Sequence, residues 1–265
     1  MNDLINIEQK SAFGSETTQI ATQNNYNGLS PQDACKVVID LFYDNFPKLQ
    51  KEANVIVEKR VTELMNEIAS KLMKNNVTDM SPLADPDVQY IVYEAQKGYA
   101  RFATEELLST LSSLVSERVK QHDADLCLKV AIDQAITIAP MLSQEHLNYL
   151  SLLFIVKHTK IKGVVDISSM ELWLNSLNDS FHINCEDAIL HLDALGCLRI
   201  SLGKSCQVLS RIYGIQESEI EKICPDNIKM LHGDYGTSNI GTILAILNAE
   251  NKIDVKFNPT TWIHS

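Results

Sequence analysis

From Ser30 to about residue 160, apolar positions recur every three or four residues, the period of α-helices that each bury one face. Ser30-Pro31-Gln32-Asp33 opens the first helix with a capping hydroxyl, a proline suited to the first helical position and an acid near the positive end of the dipole. Val37, Val38, Leu41 and Phe42 face inward, and Pro47 is expected to break or kink the helix. A long helix then runs to about Lys74. Its apolar positions Leu49, Ala53, Val57, Val61, Leu64, Ile68 and Leu72 are mostly four apart, wider than the repeat of about 3.5 residues in a left-handed coiled coil. Ile56 and Met65 widen this stripe, and Glu67 and Lys71 are spaced to pair on its wet side.

Asp85-Pro86 opens the next helix, with Val88, Ile91, Val92, Ala95 and Tyr99 on one face. Thr104, Glu105 and Glu106 cap another, which carries Leu107, Leu108, Leu111, Leu114, Val115 and Val119 and has Arg118 and Lys120 in its last turn. A fifth covers about residues 125–138 and stops at Pro140. Ser143 caps a sixth, Gln144 to His158, whose middle is apolar nearly all round and is therefore expected at the centre of the bundle.

Beyond residue 160 the elements shorten. A capping box, Ser168 to Glu171, opens a helix to Leu177, and Asn184 caps Cys185 to Leu195, closed by Gly196. Cys197 to Ser201 and Lys252 to Phe257 alternate like strands, the second with Ile253, Val255 and Phe257 on one side. A helix that ends in glycine and passes at once into a short strand is the local pattern of a winged-helix-like module. The fold expected is mainly α, in three parts: a polar leader, 1–28; a helical bundle, 29–162; and a winged-helix-like α+β module, 163–265.

The leader differs from everything after it. Residues 4–11 and 16–23 are rich in Ile, Thr, Gln and Ser, with Gly14-Ser15 between them, and read as a β-hairpin or one coil of a β-solenoid. A lone two-stranded unit with so few apolar residues is unstable in water. It is therefore a disordered tail, or its open edges pair with copies from other chains. In the second case Ile5, Ile7, Gln19, Ile20 and Tyr26 are the self-association residues.

Composition narrows the function. The net charge of −11 argues against a generic nucleic-acid binder, leaving nucleic acid as the less favoured partner. No apolar run is long enough for a membrane span, and MNDLINIEQK lacks the charge order and apolar core of a signal peptide, so a cytoplasmic protein is expected. The cysteines, Cys35, Cys127, Cys185, Cys197, Cys206 and Cys224, contain no CxxC and read as small buried apolar residues. His182, Cys185, His191 and Cys197 fit no zinc spacing, so neither a metal nor a cofactor is implied. The loop His232 to Gly241 is glycine-rich and opens a helix, so Gly233, Gly236, Thr237 and Ser238 could contact a phosphate. It lacks a P-loop lysine, and the simpler reading is that Thr237 or Ser238 caps and Gly241 permits close packing. Glu145-His146 reads as a solvated first turn. No catalytic motif emerges, which leans against an enzyme.

The segments MSPLADPDVQYIVYEAQKGYARFATEELLSTLSSLVSERVK and APMLSQEHLNYLSLLFIVKHT, with LDALGCLRIS and GTSNIGTILAI, resemble a group of poorly characterised bacterial proteins. More distantly they resemble the alpha-type abortive-infection proteins of phage defence. The resemblance implies a bacterial protein of a defence or stress locus, with a protein partner from the same locus. The motifs are hydrophobic patterns and caps, so no functional residue carries over. The expectation is a non-enzymatic, self-associating protein acting through protein contacts in antiphage defence. The alternatives are a DNA-binding regulator, using Arg199, Lys204, Arg211, Lys222 and Lys229, and a nucleotide-responsive effector using the glycine-rich loop.

Overall fold

The structure, a computed structural model, describes residues 31–77, 79–183, 188–200, 203–229, 231, 233 and 235–263. The leader and Asn184 with Cys185 lie outside them. The chain divides into two compact units, Met1–Glu52 and Ala53–Ser265. The described part of the first is the opening of helix α1, Pro31–Lys74. The expected break at Pro47 does not occur, and the helix runs on through it. Proline's fixed φ is helical, so its cost is one lost backbone hydrogen bond and crowding one turn earlier. Lys48 to Ala53 are then mostly good helix formers, and no stop signal intervenes.

In the second unit the end of α1 is followed by α2 (Pro86–Phe102), α3 (Glu105–Lys120), α4 (Leu126–Ile138), α5 (Gln144–His158), α6 (Ile167–Ser180) and α7 (Ala188–Ala194). Then come β1 (Leu198–Ile200), α8 (Ser205–Tyr213), α9 (Glu217–Ile223), α10 (Asp226–Lys229), β2 (Tyr235–Thr237) and α11 (Asn239–Lys252). The fold is mainly helical, with one small antiparallel sheet among the described residues, in which Leu198, Arg199 and Ile200 face Thr237, Gly236 and Tyr235.

Helix starts follow the side-chain oxygens. The Asp85 carboxylate accepts from the Asp87 N–H at 2.8 Å, the Thr104 hydroxyl from Leu107 at 3.2 Å and the Asp125 carboxylate from Leu128 at 3.0 Å. The box expected at Ser168 and Glu171 lies two residues earlier. Asp166 accepts from the Ser169 N–H at 2.8 Å, and Ser169 Oγ accepts from the Asp166 N–H at 3.1 Å. A carboxylate at the positive end of the dipole is a stronger acceptor than a hydroxyl, so the helix starts there. Gly196, at φ 70°, ends the turn after α7: its N–H reaches Asp193 O at 2.9 Å and that of Cys197 reaches Leu192 O at 2.8 Å. This is the two-bond glycine cap expected there.

Helix α5 is the centre of this unit. Leu147 to Lys157 are all buried, as are Gly241 to Ala249 of α11, which packs along it. Their interface is cross-braced by polar groups. Ser151 Oγ donates to Ala245 O at 3.0 Å, Asn248 Nδ2 to Ser151 Oγ at 2.8 Å, and Gln144 Nε2 to both Asn148 Oδ1 and Asn248 Oδ1 at 2.9 Å. At Gly241 any Cβ would stand 2.0 Å from Cys197 O, so only glycine lets α11 start on that backbone.

The strand expected at Lys252 to Phe257 is absent. Lys252 ends α11, and the following chain runs in irregular form to a short 3₁₀ turn, Pro259–Thr261. The alternation is real but reports burial: Ile253, Val255 and Phe257 are half-buried between exposed neighbours. Phe154, Phe257 and Trp262 meet edge to face at 5.1 to 5.9 Å, and Trp262 Nε1 donates to His158 O at 3.2 Å. β1 pairs instead with Tyr235–Thr237, inside the glycine-rich stretch.

Candidate functional site

A cleft of about 270 Å³ lies between the end of α1, α3, α11 and residues 256–259. It follows from a stripe of serines on α3, whose small side chains bring polar groups of α1 and α11 close. Lys71 Nζ donates to Ser113 Oγ at 2.8 Å, Asn75 Nδ2 to Ser116 Oγ at 3.1 Å and Asn251 Nδ2 to Ser109 Oγ at 3.3 Å. Lys71 thus turns into the helix interface instead of pairing with Glu67 on the wet side. Burial holds its amine below the usual lysine range; Glu67 opposes the shift, and Lys74 and Lys256 add to it. The carboxylates of the cleft are engaged by other cations, Glu117 with Lys120 at 3.3 Å and Glu250 with Lys256 at 2.9 Å.

Lys71 and Ser113 have the composition of a serine–lysine catalytic pair, but their setting is that of a brace. Ser113 Oγ donates to Ser109 O at 2.7 Å, and the residue stands in mid-helix, where backbone N–H groups are consumed by the helix itself. No oxyanion donors are therefore offered beside it.

The glycine-rich stretch acquires a lysine the sequence did not suggest. Lys157, buried at the end of α5, donates to Gly233 O at 3.0 Å and to Tyr235 O. Gly236 and Thr237 are buried in β2, where the Thr237 and Thr242 hydroxyls bond at 2.8 Å. Ser238 caps α11, accepting from the Gly241 N–H at 3.2 Å and donating to Gly196 O at 2.7 Å. These contacts give Lys157, Thr237 and Ser238 bracing roles within the fold.

Other singled-out residues are dispersed. Arg199, Lys204, Arg211, Lys222 and Lys229 are all exposed, and Lys229 lies 3.5 Å from Asp226. His182 is exposed, and His191 meets Met141 O at 2.9 Å. Cys197 is buried, its thiol pushed up to about 12 by desolvation. Among the described residues no group of three or more His, Cys, Asp and Glu is placed to hold a metal ion. Cys197, Cys206 and Cys224 are buried, but Cys127 is only half-buried and its sulfur accepts from Asn239 Nδ2 at 3.2 Å. In the first turn of α5 Glu145 is exposed, and His146 is half-buried. It completes a capping box, accepting from the Ser143 N–H at 3.0 Å, and stacks on His191 with ring centroids 4.7 Å apart.

Reading single positions missed two charged braces. Arg118, read from the sequence only as a cation in the last turn of its helix, is buried; it pairs with Asp87 of α2 and donates through Nε to Asp133 of α4 at 2.8 Å. Burial pushes the Asp133 carboxyl up against the opposing pull of Arg118. Arg60 donates to Ala100 O at 2.6 Å, and the Tyr99 hydroxyl to Glu63 at 3.0 Å. No spacing rule within one helix reports these partners, which lie 15 to 40 residues away.

The features together define a mainly helical protein in which buried polar side chains cross-brace the helices and line a small polar cleft. Residues 28–235 match a protein-family model described only as “:-like”, and the chain belongs to that family. The description carries no activity, and nothing in the match links the family to abortive infection. No curated protein and no solved structure matches the chain. Among the described residues no helix is long and apolar enough to cross a membrane.

Proposed function

We propose that the protein acts through protein contacts, as a self-associating helical protein without catalysis of its own. The observation that carries this reading is the uncovered start of the second unit. The apolar stripe of α1 that buries Leu64, Ile68 and Leu72 continues toward the N-terminus, yet residues 53–59 are exposed on every side. Val55 is 61% exposed, Ile56 50% and Val57 41%. An apolar helical face left uncovered by the described residues of the second unit favours a partner. A second copy suits it, because Lys51, Glu52, Glu58 and Lys59 supply both charge signs beside the stripe.

Pairing of residues 1–28 between chains, through Ile5, Ile7, Gln19, Ile20 and Tyr26, belongs to the same reading, as does the hairpin or solenoid-like form of that leader. The winged-helix-like form of residues 163–265 is supported by the passage from α7 through Gly196 into β1. The antiphage setting rests on the sequence resemblance alone.

The test is sedimentation velocity with far-UV circular dichroism on the same samples. The full chain is expected to sediment as an oligomer at tens of micromolar. An Ile56→Asp, Val57→Asp double variant is expected to lose that state while keeping its helical signal. A full chain that sediments as a monomer ends the proposal. Removing residues 1–28 without change in mass confines the interface to α1.

A further inference from the structure

The cleft between α1, α3 and α11 gathers both signs of charge in a small volume. Lys71 brings the positive charge. Its Nζ donates to Ser113 Oγ at 2.8 Å and to Ser109 Oγ at 3.5 Å, both neutral hydroxyls, and among the described residues it forms no ion pair. An ammonium has three N–H donors, so one remains for the cleft. Burial holds this amine below the usual lysine range, an effect that a carboxylate beside it would offset.

The negative charges are held in another way. Glu117 of α3 accepts from Lys120 Nζ at 3.3 Å and from Gln121 Nε2 at 2.8 Å. Glu250 of α11 accepts from Lys256 Nζ at 2.9 Å and from the Phe257 N–H at 2.8 Å. The two carboxylates are nearly withdrawn from water, at 9% and 14% exposed, whereas their lysines stand in it at 50% and 79%. A surface lysine neutralises its partner only weakly. Each carboxylate has about four lone-pair directions and spends two of them here, so each can accept from a second cation.

Helix geometry brings these groups together. Glu117 lies one turn beyond Ser113 on α3, about 6 Å along the axis, on the same face as the hydroxyl that holds Lys71. Asn251 Nδ2 reaches Ser109 Oγ at 3.3 Å, which draws the end of α11, with Glu250, to the same stretch of α3. The rest of the wall is largely apolar, with Phe257 and Pro259 at one side. Asn75, Lys120, Asn251 and Lys256 are exposed, so the cleft opens to water. At about 270 Å³ it is smaller than the usual site of a drug-sized ligand and suits one small metabolite.

We propose that this cleft binds a free α-amino acid with an apolar side chain, its carboxylate on Lys71 and its ammonium beside Glu117 and Glu250. A dianion such as phosphate gains at Lys71 but meets two carboxylates. An uncharged polyol leaves the half-buried ammonium without a counter-charge. A zwitterion answers both signs at once, and Phe257 and Pro259 give its side chain a dry wall.

Equilibrium dialysis of the full chain against radiolabelled L-valine, L-leucine and L-methionine tests the assignment. Saturable binding of at least one is expected at about millimolar concentration or below. Its unlabelled N-acetyl and methyl-ester forms, each lacking one of the two charges, are expected to compete at least about tenfold less well. Lys71→Met is expected to weaken binding by a similar factor, with far-UV circular dichroism reporting that the variant is folded. Should that variant not fold, the competition series on the wild-type chain decides alone. The proposal is overturned if none of the three amino acids binds, or if an N-acetyl form, an ester or inorganic phosphate competes as well as the parent. A folded Lys71→Met with unchanged affinity overturns it too.

Discussion

Helices α5 and α1 carry apolar residues in similar abundance, and the fold treats them in opposite ways. α5 is buried from Leu147 to Lys157, even at its polar positions, where Asn148 and Ser151 reach partners on α11 and near α6. In the second unit α1 buries Leu64, Ile68 and Leu72 but leaves residues 53–59 in water. Part of the difference lies in local pattern, since the middle of α5 is apolar nearly all round and α1 carries a stripe. The rest lies in how many neighbours arrive: α5 is met by α11, α8, α7 and β2, whereas the stripe of α1 outruns the elements that cover its end. Periodicity names the face a helix can bury; only the packing decides how much of it is buried.

That contrast can be broken most directly by equal truncations on the two helices. Leu150→Ala, at a fully buried position of α5, is expected to cost about 3 kcal/mol in urea unfolding. Equal costs at Leu150 and at Val57 would erase the distinction.

Gly241→Ala sharpens it from the α11 side. The added methyl meets Cys197 O, a backbone atom that cannot swing away, so a loss of about 2 kcal/mol is expected in the same measurement.

His158, at the end of α5, tests the core by pH. Burial holds its imidazole down to about 4, with Arg199 and Lys157 adding to the effect, and its Nε2 has no hydrogen-bond partner. The depressed value means that the unfolded chain binds the proton first. Stability is therefore full above about pH 6.5 and falls as pH drops from there toward 4, by on the order of 2 kcal/mol after allowing for partial exposure. Thermal melts of the wild type should show that slope, and His158→Phe should flatten it.

The smallest effect belongs to α1. Val57→Ala, at an exposed site, is expected to change the unfolding free energy of the dissociated chain by less than about 0.5 kcal/mol.

The features legible in the sequence were those decided within a few residues. Asp85, Thr104 and Ser143 cap where they were expected to, because a cap needs only its own first turn. Gly196 ends its turn for the same reason, and the all-round apolar character of Gln144 to His158 predicted the buried centre. The misses each needed a partner from elsewhere. Ile253, Val255 and Phe257 alternate because they cover the core beside Phe154, which period two cannot tell from strand pairing. β2 is hidden in Tyr235–Thr237, where three residues are too few to show alternation and the central Gly236 dilutes the strand propensity of Tyr235 and Thr237. The cleft was invisible because Lys71 and the serines of α3 are ordinary surface residues in a one-dimensional reading. Only the approach of α1 and α11 gives them a shared site.

Arg118 carries one more consequence. Its guanidinium is satisfied by Asp87 and Asp133, so three successive helices must dock before a buried charge finds both its partners. Opening any one of them strands that charge in the interior, which makes partial opening nearly as costly as releasing the whole hairpin stack. In native-state hydrogen exchange, the slowest amides of α2, α3 and α4 should therefore report a common opening free energy and exchange as one cooperative block.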